Sequence, residues 1–193
     1  MTDSKLPPPL RSVCVFTGSR PGTGPRYLKT ARGLGRVLAR RGITLVYGGS
    51  RSGLMGAMAD AALAAGGRVV GVMPQGLVDR ENAHRGLGEL IITADMHARK
   101  ARMALLAEAF LAMPGGYGTL EELFEMVTWC QLGLHRKPVG LLDCGGFWDG
   151  LRQFLAHARA EGFIPESELA ALPCEEDPDR VLDRLAEWAD RLS

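Results

Sequence analysis

Short apolar runs rich in β-branched residues alternate with longer segments in which Ala and Leu recur at helical spacing, and glycines stand at the joints between them. The short runs predict strands at Val13 to Thr17, Ile43 to Tyr47, Arg68 to Met73, Glu89 to Thr93, Ala109 to Met113 and Pro138 to Leu142. The longer segments predict helices at Tyr27 to Arg41, Gly53 to Ala65, Met96 to Ala107, Leu120 to Leu132, Trp148 to Glu161 and Asp179 to Leu192. Parallel strands joined by helical crossovers make an α/β fold, a doubly wound parallel sheet with helices on both faces. Ligands of such sheets bind beyond the carboxyl ends of the strands, where the strand order reverses.

Two stretches break the rhythm. Pro74 to Gly88 is long, polar and poorly periodic, and is expected to be a functional loop. Pro165 to Pro178, with Glu175, Glu176 and Asp177 in a row, is expected to be a solvated connection into a last amphipathic helix.

With 193 residues, 46% hydrophobic and 23% charged, the chain has the material for the core of one domain spanning 1–193, of which 1–11 is expected to be flexible. Its apolar runs stop far short of the roughly 20 residues of a membrane span, so no membrane association is expected. The opening MTDSKLPPPL carries no apolar stretch of a secretory signal, and the expected location is the cytoplasm. Cys14, Cys130, Cys144 and Cys174 form no C-x-x-C pair; free and mostly buried thiols are expected rather than a zinc knuckle or redox dithiol.

Charge is unevenly spread. Residues 1–97 hold 13 Lys and Arg against 6 Asp and Glu, and residues 98–193 hold 10 against 16. That asymmetry suits a small anionic ligand, whereas the absence of any basic run or aromatic-interleaved basic stretch argues against nucleic acid as a partner.

Three glycine-rich turns follow expected strands: Gly18 to Gly24, Gly48 to Gly53 and Gly115 to Thr119. Such turns let backbone N–H groups approach an anion at the start of the next helix; the alternative reading of any single one is that glycine only closes a tight turn. Gly48 to Gly53 has P-loop spacing, but Leu54 and Met55 stand where Lys and Ser or Thr are required. Gly116 and Gly118 lack the third glycine of a dinucleotide fingerprint, since position 121 is Glu121.

Pro114 to Glu122 (PGGYGTLEE) joins a phosphate-compatible turn to two carboxylates at a helix start. Glu122 has two readings here: a capping box with Thr119, or a group that faces solvent, a cleft or a partner. If Leu120, Leu123, Phe124, Val127 and Gln131 form the buried stripe, Glu122 points away from it. Asp95 to Met103 (DMHARKARM) sets Arg99 and Lys100 one turn into a helix, where cations oppose the helix dipole and call for a bound phosphate or a facing carboxylate. Neither His97 nor any other residue has metal-ligand spacing, and no metal is expected.

With PGGYGTLEE, DMHARKARM and YGGSRSGLMG (47–56) in one chain, the sequence resembles the LONELY GUY family of cytokinin riboside 5′-monophosphate phosphoribohydrolases, often labelled lysine decarboxylases. The resemblance runs from about Val13 to Ile164. It implies a Rossmann-like fold, homodimers, no cofactor, and hydrolysis of the N-glycosidic bond of N6-modified adenosine 5′-monophosphates. By the same resemblance Arg99 and Glu122 are the catalytic pair. Glu81, Arg99, Lys100, Gly115, Gly116, Tyr117, Gly118, Thr119, Leu120, Glu121, Glu122 and Thr128 are expected to contact the nucleotide, with Gly48, Gly49 and Met96 nearby. Ser50 departs from the family's usual glycine, and Ala98 from its frequent polar residue.

The chemistry suits the residues. Positive charge builds on the ribose as the purine leaves, so a carboxylate is wanted beside it; Glu122 would stabilise that charge and orient or deprotonate water. Arg99 would hold phosphate or position Glu122, and the Gly115 to Thr119 turn would take the 5′-phosphate. Two alternatives use the same turns: a non-catalytic AMP-binding module or a nucleosidase acting on plain AMP, and, more distantly, a phosphate-sugar transferase. Met126 and Trp129, off the assumed stripe, are expected to sit in a dimer interface or under a neighbouring helix.

Overall fold

The computed structural model describes residues 10–78, 80, 82–167 and 172–192. Seven strands form one sheet: β1 (Ser12–Phe16), β2 (Thr44–Tyr47), β3 (Val69–Pro74), β4 (Glu89–Thr93), β5 (Ala109–Ala112), β6 (Val139–Leu142) and β7 (Cys174–Glu175). Their order is β4-β3-β2-β1-β5-β6-β7, and each neighbouring pair is parallel. The helices are α1 (Pro25–Arg40), α2 (Gly53–Ala64), α3 (Met96–Leu106), α4 (Tyr117–Gln131), α5 (Asp149–Ala160) and α6 (Pro178–Leu192). This is the expected Rossmann-like, doubly wound arrangement.

Strand side chains alternate between two cores. Val13, Val15, Leu45, Tyr47 and Leu111 pack under α1, α2 and α6, while Cys14, Phe16, Val46, Phe110 and Ala112 pack under α3, α4 and α5. Because both faces are covered, the central strands carry apolar residues at successive positions instead of alternating with polar ones. From β1 the chain steps outward through β2 and β3 to β4, then crosses back to lay β5 on the other side of β1. The strand order therefore reverses at β1, and the crevice beyond the carboxyl ends of β1 and β5 is where such a sheet binds ligands.

One expectation changes. The acidic connection contains an edge strand: Leu141 N–H donates to Pro173 O at 2.8 Å and Asp143 N–H to Glu175 O at 2.7 Å, while Arg180 and Arg184 of α6 pair with Glu175. Its residues 168–171 lie outside the described residues. Of the segment 1–11, residues 1–9 also lie outside them; Leu10 is buried, and Arg11 is bound to Glu108 through its backbone N–H and its guanidinium, each at 2.7 Å.

The Pro74 to Gly88 segment, apart from Asp79 and Glu81, which are not among the described residues, is strapped across the end of β2. Ala83 bridges Ser50, Arg51 N–H donates to Asn82 O at 2.9 Å, and His84 N–H donates to Gly49 O at 2.8 Å. The buried His84 ring reaches Asp60 of α2, Nε2 to Oδ1 at 2.9 Å. This strap brings Leu77 to the mouth of the crevice.

Candidate active site

The three glycine turns leave the adjacent strands β2, β1 and β5, so they meet at one edge of the sheet. The turns after β1 and β5 are tied together: Gly18 N–H and Thr17 Oγ1 both donate to Pro114 O, at 3.1 and 3.0 Å. Leu54 N–H at the start of α2 donates to Gly18 O at 3.0 Å, which fixes the second turn to the first. A cavity of about 720 Å³ opens between them. That size is within the roughly 300–1,000 Å³ of small-molecule sites.

α3 and α4 bring the charged groups. Asp95 caps α3, its carboxylate accepting from Ala98 N–H at 2.8 Å, which places a negative charge where the helix dipole favours one. Arg99, one turn further, is 6% exposed; its Nε donates to Val72 O at 3.0 Å and its Nη1 to Glu122 Oε1 at 2.8 Å. Gly48 makes room for this guanidinium, since a Cβ there would stand 2.2 Å from Arg99 Nη2. Next to it, Lys100 is clamped by Glu121 and by Glu125, the latter at 3.0 Å. Burial alone would push the Lys100 ammonium down, but the two carboxylates outweigh it and raise it above the ordinary lysine value.

α4 begins at Tyr117, three residues before the expected start, with Gly116 as its N-cap. Thr119 is thus inside the first turn rather than capping it, and the capping-box role of Glu122 does not form: that carboxylate is buried and meets Arg99. Thr119 folds back onto Gly115, where a Cβ would stand 2.0 Å from its hydroxyl, so only glycine leaves the turn open. The free N–H groups of this 15-residue helix face the cavity from Gly116 onward.

Of the expected site residues, Gly115, Gly116, Tyr117, Gly118, Thr119, Glu121, Glu122, Met96 and Arg99 line the cavity. Others of the expected site residues do not. Lys100 is spent on α4, Gly48 backs Arg99, and Gly49, at φ 77°, holds the strap through its carbonyl. Leu120 packs into the core under α4; Thr128 is exposed, about 16 Å along the helix from Tyr117. Glu81 lies outside the described residues.

The assumed stripe of α4 is also corrected. Its buried residues are Thr119, Glu122, Leu123 and Met126, while Gln131 is exposed. α4 is covered on two sides, by the sheet below and α3 beside it, so a wheel drawn for one buried face misplaces Glu122. Met126 is buried and Trp129 partly buried within the chain, against the core that includes Phe110 and Leu123.

Sequence reasoning missed Arg20, Tyr27, Leu77 and Phe147, which also line the cavity. Arg20 was within reach, because it sits inside the first glycine turn. Phe147 had no sequence signal: it arrives after β6 and meets Tyr27 edge-on, ring centroids 6.1 Å apart.

A family model described as "Possible lysine decarboxylase" matches residues 55–185. A cytokinin riboside 5′-monophosphate phosphoribohydrolase of Rhodococcoides fascians is 49% identical over 171 residues, covering 88% of this chain and 86% of that protein. LOGL5 of Oryza sativa subsp. japonica, a probable enzyme of the same name, is 52% identical over 154 residues, covering 80% of this chain and 63% of its own. Among solved structures, that of TM1055 superposes with a TM-score of 0.69 at 26% identity, covering 90% of this chain and 99% of that one.

Proposed function

The chain belongs to the LONELY GUY family of cytokinin riboside 5′-monophosphate phosphoribohydrolases, and from that premise we propose that its cavity hydrolyses the N-glycosidic bond of N6-modified adenosine 5′-monophosphates at Arg99 and Glu122. The products are the free base, a cytokinin, and ribose 5-phosphate. The observation that carries the assignment is the Arg99–Glu122 pair, held at 2.8 Å on the wall of a cavity that also presents the open turn from Gly115 to Thr119.

The 5′-phosphate sits against that turn, where the N–H groups of Gly116 to Thr119 and the positive end of the α4 dipole receive it. Holding a group that does not react positions the one that does. Glu122 lies one turn further along α4, so the ribose lies over its carboxylate. As the C1′–N9 bond breaks, electrons pass to the purine and positive charge develops on C1′ and the ring oxygen. Glu122 stabilises that charge and takes a proton from the water that attacks C1′, and the proton then passes to the departed purine, which restores the carboxylate. Arg99 keeps the Glu122 carboxylate oriented, and Val72 O keeps Arg99 in place.

The apolar side chains of Leu54, Met55, Leu77 and Met96 supply a wall for the substituted purine. No lysine lines the cavity among the described residues, so the amine that a pyridoxal-phosphate decarboxylase would need is not there. The same reading includes a homodimer. Leu105 on α3, Leu132 at the end of α4 and Phe154 on α5 are 74%, 67% and 63% exposed on the side of the sheet that α3, α4 and α5 cover. It also includes a cytoplasmic location; among the described residues no helix is long and apolar enough to cross a membrane.

Incubation of the purified protein with N6-isopentenyl-AMP and with AMP tests the reaction. Equimolar release of isopentenyladenine and ribose 5-phosphate, faster than adenine from AMP, is expected. An intact nucleotide refutes the hydrolase, and equal rates on both substrates refute the cytokinin specificity.

A further inference from the structure

A nucleoside 5′-monophosphate brings close to two negative charges into a cavity in which one of the two lining cations, Arg99, is already spent. Arg99 is paired with Glu122. Lys100, which the family pattern would give to the nucleotide, is off the wall and held by Glu121 and Glu125. Of the charged side chains that line the cavity, Arg20, Arg99, Glu121 and Glu122, only Arg20 has no carboxylate partner among the described residues.

Its position is fixed by the backbone. Gly53, at φ 57°, packs so closely on this turn that a Cβ there would stand 2.5 Å from Arg20 N. Gly18 is bonded to Pro114 O, and a Cβ on Gly115 would stand 2.9 Å from Gly18 N. The turns after β1 and β5 are thus in van der Waals contact. Arg20 is two residues from Gly18, a backbone span of about 7 Å at most. Its long side chain covers the rest of the way to an anion seated on Gly115 to Thr119.

We infer that Arg20 is a substrate-binding residue that grips the 5′-phosphate from the β1 side, opposite the N-terminus of α4, and sets the preference for monophosphates over ribosides. This rests on the proposed function only for the identity of the nucleotide; the ligand chemistry is a phosphomonoester on a pentose. The guanidinium gives the phosphate two N–H donors and the helix gives it backbone N–H donors, so the group is held from both sides. Arg20 itself is exposed and makes no described bond within the fold, so its removal leaves the scaffold intact.

Calorimetry with ribose 5-phosphate separates binding from turnover. Arg20→Ala is expected to weaken ribose 5-phosphate by about 10- to 100-fold, the factor one charge-assisted hydrogen bond carries, and Arg20→Lys to recover part of it. In steady-state assays the variant loses kcat/KM on N6-isopentenyl-AMP by a similar factor and keeps it on the unphosphorylated riboside. Unchanged ribose 5-phosphate affinity in Arg20→Ala, or equal losses on monophosphate and riboside, overturns the assignment. If the wild type binds ribose 5-phosphate through Arg20 but releases no base, the phosphate grip stands and the hydrolase reading falls.

Discussion

Arg99 and Glu122 meet across the seam between α3 and α4, Nη1 to Oε1 at 2.8 Å, with side chains only 8% and 10% exposed. Lys100, the next residue of α3, repeats the pattern with Glu121 and Glu125, which flank Glu122 on α4. Two neighbouring cations on one helix therefore face neighbouring acids on the other. A buried pair of this kind is weak evidence for stability, because desolvation offsets much of the attraction. Its value here is placement: Glu122 cannot turn away from the cavity without leaving a guanidinium unpaired.

Gly48→Ala tests how tightly that placement is held. A methyl group 2.2 Å from Arg99 Nη2 and 3.2 Å from Met55 Sδ must push the guanidinium aside, and both obstacles are the far ends of flexible side chains. The fold should survive while turnover drops by about a hundredfold, the cost of misplacing a catalytic group by roughly 1 Å. Native-like activity with an unchanged thermal midpoint would show that Gly48 does not position Arg99.

Lys100→Met separates structure from substrate contact. Without the ammonium, Glu121 and Glu125 face each other uncompensated. A loss of about 2 kcal/mol in urea unfolding is expected, discounted from a fully buried pair because Glu121 is 53% exposed. Unaltered stability together with a raised KM would return Lys100 to the nucleotide.

Acid should weaken the fold through His135. Burial pushes its imidazole below the ordinary value of 6.5, the charge of Lys137 adds to this, and the Met126 carbonyl opposes it. Its Nδ1 accepts from Lys137 N–H at 3.1 Å, and a proton on Nδ1 removes that acceptor. The unfolded chain takes up the proton near 6.5 and the folded chain resists it, so this stability is complete above pH 6.5 and is lost as pH falls through the folded value. The slope is at most about 1.4 kcal/mol per pH unit. Urea midpoints at about pH 7.5 and about pH 5.5 should fall further for the wild type than for His135→Asn; equal drops would contradict it.

Much of this was legible in the sequence because parallel strands covered on both faces leave unbroken apolar runs, and β1 to β6 all lie within a residue or two of their expected bounds. β7 was not legible: two residues, Cys174 and Glu175, carry no period, and only the backbone of β6 recruits them. The need for compensation at Arg99 and Lys100 could be read from their place in the first turn of α3, and facing carboxylates supply it. Which way Glu122 points could not be read, because that depends on α3 lying beside α4. The His84–Asp60 contact was equally hidden, since it joins residues 24 apart that share no motif.

Turnover of N6-isopentenyl-AMP by Glu122→Gln, measured beside its binding of AMP, tests most directly whether this carboxylate drives the cleavage. The amide keeps the shape and still offers Arg99 an oxygen. AMP affinity should stay within about threefold while kcat falls by about 10³-fold or more, the range for a missing general base or charge stabiliser. Near-native kcat in a folded Glu122→Gln protein would contradict the account and leave Glu122 as a partner of Arg99 with no part in the chemistry.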